Sequence, residues 1–543
     1  MIETRAPLTV LPGSNGLRHG SPRGEVGFIP MKPTPGDIFA VYTPRLNGYT
    51  AVQVTAVKID EKSEQAAVLT LDWVGPTLPD AAAVASMVPA TFNFFFWKEH
   101  LEHLWVSLEI PRGFTLVGNK PPLVDKETKS YGGWPSGDSL YRQREWEEIP
   151  KEKRDVFKAL ADTRDKQVVL KLGERELTRS TQRLHTEELQ AAPSLSAFDV
   201  LPILTFVGCD APVPGLFDFV RNRPFVYEAD LTNHGERVVD LRGSRLSRLR
   251  LDLTGVHELY LNHGLNELSA SGTLSPELKI HAEADGNWLT LSMKQLVTDW
   301  SGLTNLDSLH LNPAKDVDVS AIVRRFPKLT EIRIWGAPGY LRNTAELAAL
   351  PSLQVLTLNE MFGIGADEFP GPERFPNLGR LWMTSIPADL AASVKKAYKA
   401  ATRDGLDLSV RQPRKAEWLA ENLDNPFRIW DGAENITPAQ AKKAATLYRQ
   451  ARSAALAAAS EHKGSQAQLV SALTPIVTAY VQGFNKLDTK GTFIYTEERE
   501  HIYVALMGIC DAVDERLKSV GGPSAEPVDR DAVTSVMDSI RDF

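Results

Sequence analysis

The sequence predicts a multidomain α/β chain with an N-terminal β-rich domain, a central leucine-rich repeat solenoid and a C-terminal helical bundle. Three observations predict it. The centre carries one apolar template four times: Leu303-Thr-Asn-Leu306-Asp-Ser-Leu309-His-Leu311, Phe326-Pro-Lys-Leu329-Thr-Glu-Ile332-Arg-Ile334, Leu350-Pro-Ser-Leu353-Gln-Val-Leu356-Thr-Leu358 and Phe375-Pro-Asn-Leu378-Gly-Arg-Leu381-Trp-Met383. The stretch before it alternates in short, aromatic-rich runs, which suits half-buried strands. The stretch after it repeats apolar residues at helical spacing.

Length and composition suit several structural units. The chain has 543 residues, 43% of them hydrophobic and 24% charged, as in an ordinary foldable protein. Its net charge of −8 offers no electrostatic footprint for a nucleic-acid backbone or an anionic membrane, and suits a basic partner better. Two cysteines, Cys209 and Cys510, stand far apart without metal-type spacing, which implies a reducing compartment and no disulfide framework. The uncharged stretch from Ala81 to Trp97 is interrupted by Pro89 and Asn93 and falls short of a membrane span.

Residues 1–31 are rich in glycine and proline, lack the apolar run of a signal peptide, and read as a flexible tail. The β-rich domain covers 32–154. Pro35-Gly36-Asp37 turns into a strand through Val41, and Tyr49 to Val57 alternates after the Asn47-Gly48 hairpin signal. A further strand, Ala67 to Val74, follows the charged turn Asp60-Glu61-Lys62-Ser63. Aromatic residues are dense here, among them Phe92, Phe94, Phe95, Trp97, Trp105, Trp134 and Trp146. They serve either as core filler, the reading favoured for a small β domain, or as the wall of a ligand pocket.

This segment resembles a known family. Thr34-Pro35-Gly36-Asp37-Ile38-Phe39-Ala40, the Asn47-Gly48-Tyr49 turn, Trp105-Val106-Ser107, the run from Ile110 to Pro122, Trp134 and Gln143-Arg144-Glu145-Trp146 are similar to the immunity protein 26 family of polymorphic-toxin systems. The resemblance implies a small β-rich module that neutralises a toxin by binding it, without catalytic residues.

Residues 155–245 are charged and then proline-punctuated, and read as a linker and the N-terminal cap of the solenoid. The solenoid itself is expected over 246–410. In the four copies the repeat steps, measured between Leu309, Ile332, Leu356 and Leu381, are 23, 24 and 25 residues. Earlier Leu-x-Leu pairs, at Leu249/Leu251, Leu259/Leu261, Leu278/Ile280 and Leu289/Leu291 with a weaker Leu268/Ala270, are more closely spaced. They imply narrow coils with strands on both walls. The residue between each apolar pair points outward. His310, Arg333, Thr357 and Trp382 in the clear copies, extended by Arg250, Thr290 and Asp407, are therefore the candidate partner-binding residues. Arg333 and Trp382 are of the types that dominate binding hot spots.

The helical domain covers 415–543. Thr437-Pro438-Ala439-Gln440 supplies a cap, a first-turn proline and a capping-box glutamine for a helix to about Ser460. A second helix spans Gln466 to Phe484, with Pro475 expected to bend or start it. Thr496 caps a third, whose apolar face is Ile502, Leu506, Ile509, Val513 and Leu517, and Asp529 to Ile540 makes a fourth. Trp335-Gly336-Ala337-Pro338-Gly339, Met361-Phe362-Gly363, Ser385 to Asp389 and Glu417 to Gly432 resemble bacterial leucine-rich repeat proteins, some labelled gliding-motility proteins. That resemblance implies a bacterial, cytoplasmic repeat protein with a helical C-terminal cap.

Catalytic and metal constellations are sparse. His100-Leu-Glu102-His103 lacks the spacing of two histidines on one helical face, and Gly363-Ile-Gly365 lacks the third glycine of a dinucleotide site. The expectation is a non-catalytic, cytoplasmic protein that binds a macromolecular partner through its repeat surface, with no cofactor, metal, nucleic acid or membrane. Two alternatives stay open: an immunity protein whose partner is a bacterial toxin, and an enzyme whose polar groups converge in the N-terminal domain. Sequence does not set the oligomeric state.

Overall fold

The computed structural model describes residues 32–543 apart from 60–63, 112, 164, 463–464, 489–490 and 522–525. The expected tail over 1–31 and the charged turn at 60–63 lie outside the described residues. The chain divides into two compact units, one ending at Pro413 and one running Arg414–Phe543.

The first unit begins with a six-stranded sheet in the order β5-β1-β2-β3-β4-β6, where β1 is Asp37–Thr43, β2 Gly48–Ile59, β3 Glu64–Gly75, β4 His103–Ser107, β5 Thr115–Asn119 and β6 Ser130–Tyr131. Asn47 adopts the left-handed conformation (φ 47°) that lets β1 turn back into β2. Alternate residues fill both faces. Phe39, Val52, Val54, Val68, Val106 and Trp134 pack on one, and Ile38, Ala51, Leu69, Leu71, Val84 and Met87 on the other.

Many of the aromatic residues of this region fill cores, while Phe96 and Tyr131 are exposed. Phe92, Phe94 and Trp146 join Phe157, Ile203 and Phe225 in one buried cluster that runs across residue 155 into the next part of the unit. Helices α1 (Asp138–Glu147) and α2 (Lys151–Thr163) carry Trp146 and Phe157. Phe95 sits at φ 48°, unusual for a bulky side chain. Its ring lies 5.3 Å from Trp146 and 4.8 Å from Tyr227, and Lys158 braces the loop by donating to Trp97 O at 2.6 Å.

No solenoid is detected, which corrects the expected fold class. The described residues instead form a mixed α/β unit on one eleven-stranded parallel sheet, followed by the helical unit. Its strands, in spatial and chain order, are β7 (Arg183–Leu184), β8 (Phe206–Cys209), β9 (Glu228–Leu231), β10 (Arg248–Asp252), β11 (Glu267–Ser271), β12 (Thr290–Met293), β13 (Ser308–Asp318), β14 (Glu331–Arg342), β15 (Val355–Phe362), β16 (Arg380–Thr384) and β17 (Asp407–Arg411). The 23–25-residue period sets strand register, but a solenoid also needs every coil to return by the same path. Here the returns differ. Val238–Asp240, Glu258–Tyr260 and Lys279–His281 make a small parallel sheet of their own, whereas later returns use helices Val319–Arg325 and Ala388–Ala397 and the 3-10 turn Thr344–Ala349. The close spacing of the early Leu-x-Leu pairs reflects a chain alternating between the two sheets.

Three strands, β7 to β9, lie ahead of residue 246 in the stretch read as linker and cap. Their inward residues Val207, Cys209, Ala229 and Leu231 are buried but do not spell a leucine pattern. Along the sheet Leu291, Leu309, Ile332, Leu356 and Leu381 face each other in register and are fully buried. Beyond that ladder β13 to β15 continue into a second stretch of pairing, Val317 with Leu341 and Tyr340 with Phe362. Glycines permit the approach: a Cβ on Gly336 would lie 2.2 Å from Glu360 O, and one on Gly339 2.4 Å from Ala314 O.

Among the described residues the second unit opens with a short helix, Ala416–Asn422, and a 3-10 turn, Pro426–Trp430, and continues in four longer helices. They are α3 (Pro438–Glu461), α4 (Gln466–Leu487), α5 (Thr496–Gly521) and α6 (Arg530–Ile540). Thr437 and Gln440 complete a capping box on α3, and Asp529 accepts from Ala532 N at 2.9 Å on α6. α4 begins at Gln466 and passes through Pro475. Ile502, Leu506, Ile509, Val513 and Leu517 are buried as one face of α5, against a core that includes Trp430, Tyr480 and Phe484.

Two outcomes follow. Leu356→Asp should lower stability by about 3–5 kcal/mol, because it puts an unpaired charge between Ile332 and Leu381, and a denaturant melt checks it. Burial pushes the Glu145 carboxyl above its ordinary 4.5, against the opposing Tyr141 hydrogen bond and the Arg45, Arg245 and Arg142 charges. A folded acid that holds its proton more tightly contributes stability that is complete below 4.5 and is lost as pH rises through its folded value. Glu145→Gln should therefore melt higher than the parent at pH values above that range, and the difference should vanish in acid.

Candidate interaction face

Period-two alternation turns the residues between the buried ladder positions to the other side of the sheet. One outward row runs Arg250, Ser269, Ser292, His310, Arg333, Thr357, Trp382 and Ser409. Five of the seven expected partner-binding residues thus share a line. Thr290 does not: it pairs with Ser308, one row nearer the strand starts, because the strand presents Ser292 where Thr290 was expected. Asp407 belongs to that neighbouring row as well, opposite Arg380.

Their chemical states differ. The imidazole of His310 lies 2.8 Å from Glu331 Oε1, and Arg333 Nε lies 2.7 Å from the same oxygen. Burial would raise the Glu331 carboxyl, but the hydrogen bond with His310 and the charge of Arg333 hold it below its usual range. The Arg333 side chain is only 24% exposed. It orders Glu331 more than it offers itself to solvent. Arg250 makes an exposed ion pair with Asp230 at 3.3 Å, worth little in water.

Trp382 is the prominent open residue. It is 41% exposed, and the Arg380 guanidinium lies 4.6 Å above its ring while also meeting Asp407 at 3.3 Å. Thr357 adjoins it on β15. Trp335, edge-on to His310 at 5.9 Å, and Tyr340, also 41% exposed, extend the aromatic surface toward the strand ends. Sequence reasoning took one outward position per strand and so missed Glu331, Arg380 and Trp335. Each stands two residues from a predicted one, and period two was the signal that could have found them.

The N-terminal sheet region abuts the strand-start flank of the first half of this face. Arg45 bonds Asn266 and, at 3.1 Å, Leu265 O, Arg245 donates to Glu145 O at 2.9 Å, and Phe95 meets Tyr227. These partners stand just ahead of β9, β10 and β11.

Other candidates resolve into structure. His100 packs on Trp97 at 4.6 Å, Glu102 accepts from Thr70 at 2.6 Å and Ser139 at 2.7 Å, and His103 lies 2.7 Å from Thr55, so the three do not converge. Gly363 is a left-handed turn residue (φ 74°) at the end of β15. No helix among the described residues is long and apolar enough to cross a membrane.

Glu331 supplies an acid-side prediction of opposite sign to Glu145. A lowered folded value means stability that is present above 4.5 and is lost as pH falls through the folded value. Glu331→Gln should flatten that acid limb in melts taken down the pH scale; an unchanged limb would mean that the His310–Glu331–Arg333 cluster contributes nothing to stability.

No protein-family model matches this chain and no curated protein matches it.

Proposed function

We propose that this chain is a non-catalytic protein-binding protein whose partner covers the outward face of β13 to β17, with Trp382 as its anchor. The exposed Trp382 ring, stacked under Arg380 on a strand whose alternate residues are buried, carries the proposal. An aromatic side chain held this way loses little conformational freedom on binding and desolvates a large area. Thr357 and Ser409 on the neighbouring strands, and Thr384 two residues along its own strand, give neutral hydrogen-bonding groups around it. The locked His310–Glu331–Arg333 cluster bounds the surface on one side.

The cytoplasm suits such a protein, since Cys209 and Cys510 are both free and buried thiols. The similarity of residues 32–155 to the immunity protein 26 family favours a narrower second reading, in which the captured partner is a bacterial toxin.

Affinity capture from native lysate tests both readings. The parent chain should retain a specific protein, and Trp382→Ala should lose about 2 kcal/mol of binding, about thirty-fold, while melting as the parent does. Undiminished capture by that variant would remove the sheet face from consideration. A captured protein without toxic activity would remove the immunity reading alone.

A further inference from the structure

We propose that the part of the outward face between Trp335 and Trp382 receives an uncharged, proline-rich segment of the partner in the polyproline II conformation. It rests on the reading of the sheet face as a protein-binding surface and names the kind of segment that the face takes.

Two adjacent outward rows build the patch. One runs Arg333, Thr357, Trp382 and Ser409 across β14 to β17, and the next runs Trp335, Asn359, Thr384 and Arg411 on the same strands. Ile334, Leu358 and Met383, the residues between the rows, are buried, so both rows face outward. Trp335 and Trp382 stand at diagonal corners, two strands and two residues apart, which at the usual strand spacing and rise puts roughly 12 Å between their Cα atoms. Trp382 is exposed and Trp335 half-buried. Thr357, Asn359 and Thr384 fill the remaining positions, half-buried, and their side chains make no hydrogen bond among the described residues.

The surroundings exclude the other ways in which a peptide docks. β14, β15 and β16 are each paired on both sides, so an added strand finds no free edge there. A docked helix needs a continuous apolar groove, and here polar side chains separate the two indoles. Charge narrows the occupant further. His310, Glu331 and Arg333 satisfy one another, and Arg380 meets Asp407 while its guanidinium lies 4.6 Å from the Trp382 ring, where it repels a second cation. Arg411 at the far corner is a single exposed charge, which gives an acidic segment little in water. A polyproline II segment meets each constraint. Its backbone makes no internal hydrogen bonds, so its carbonyls accept from Thr357, Asn359 and Thr384, and its flat apolar rings stack on indoles. Three or four of its residues, at about 3.1 Å each, cover the distance from Trp335 to Trp382.

The test is fluorescence anisotropy of labelled decaproline on the full chain, beside a glycine-serine peptide of equal length, deca-glutamate and cellohexaose. Decaproline should bind, hold its affinity as salt is added, and lose about ten-fold or more with Trp335→Ala and with Trp382→Ala taken singly. Should Trp335→Ala lower the melting temperature, Trp335→Leu replaces it, since it keeps apolar volume without a flat ring, and the same loss is expected. The proposal is overturned if decaproline does not bind, if the glycine-serine peptide binds as well, if deca-glutamate or cellohexaose binds more tightly, or if the two tryptophan variants bind decaproline as the parent does. Capture from native lysate that is lost in Trp382→Ala while decaproline fails to bind would sink this inference and leave the protein-binding reading standing, so the two fail separately.

Discussion

The in-register ladder of Leu291, Leu309, Ile332, Leu356 and Leu381 is the constraint on which the rest of the central sheet depends. Parallel neighbours share hydrogen bonds evenly, so the pairing alone would tolerate a slip; burial of one face does not. A shift by one residue would bring Arg333, Thr357 and Trp382 into the core. The same fact that buries Leu356 therefore presents Trp382, and core and candidate face are two consequences of one register.

A second constraint is the aromatic cluster around Phe157. Residues from α1, α2 and the segments before β8 and β9 bury it jointly, so packing is continuous across residue 155 between the aromatic segment and the loops that lead into the parallel sheet. Phe95 pays a backbone cost at positive φ to put its ring between Trp146 and Tyr227. The result is a fixed junction between Trp146 and Tyr227. Dense aromatics here serve packing between segments that lie far apart in the sequence.

The face is chemically divided. Around Glu331 the polar groups satisfy each other, leaving a rigid, partly dry cluster in which Arg333 is a positioning residue. Around Trp382 the ring is braced but open. Residue type alone ranked Arg333 and Trp382 together, and the neighbours separate them. Thr290 shows the opposite limit: its flanking leucines, Leu289 and Leu291, look like the other pairs, but the strand starts at Thr290 and the leucines play different parts.

By itself the sequence determined the local terms. The positions of β13 to β16, the outward line through His310, Arg333, Thr357 and Trp382, the Thr437 capping box and the apolar face of α5 all follow from spacing between near neighbours, because hydrogen-bond geometry fixes periods of two and 3.6 residues. Tertiary structure decided what depends on meetings between distant residues. The returns between strands differ in kind, so a regular repeat built an open eleven-stranded sheet where a solenoid was expected. β7 to β9 joined that sheet without a leucine pattern, since Val207, Ala229 and Leu231 are buried by their neighbours and need no signature of their own. Whether an arginine is half-buried on a carboxylate, as Arg333 is, or held in an exposed ion pair, as Arg250 is, turns on neighbours brought close by folding, and no local spacing encodes that.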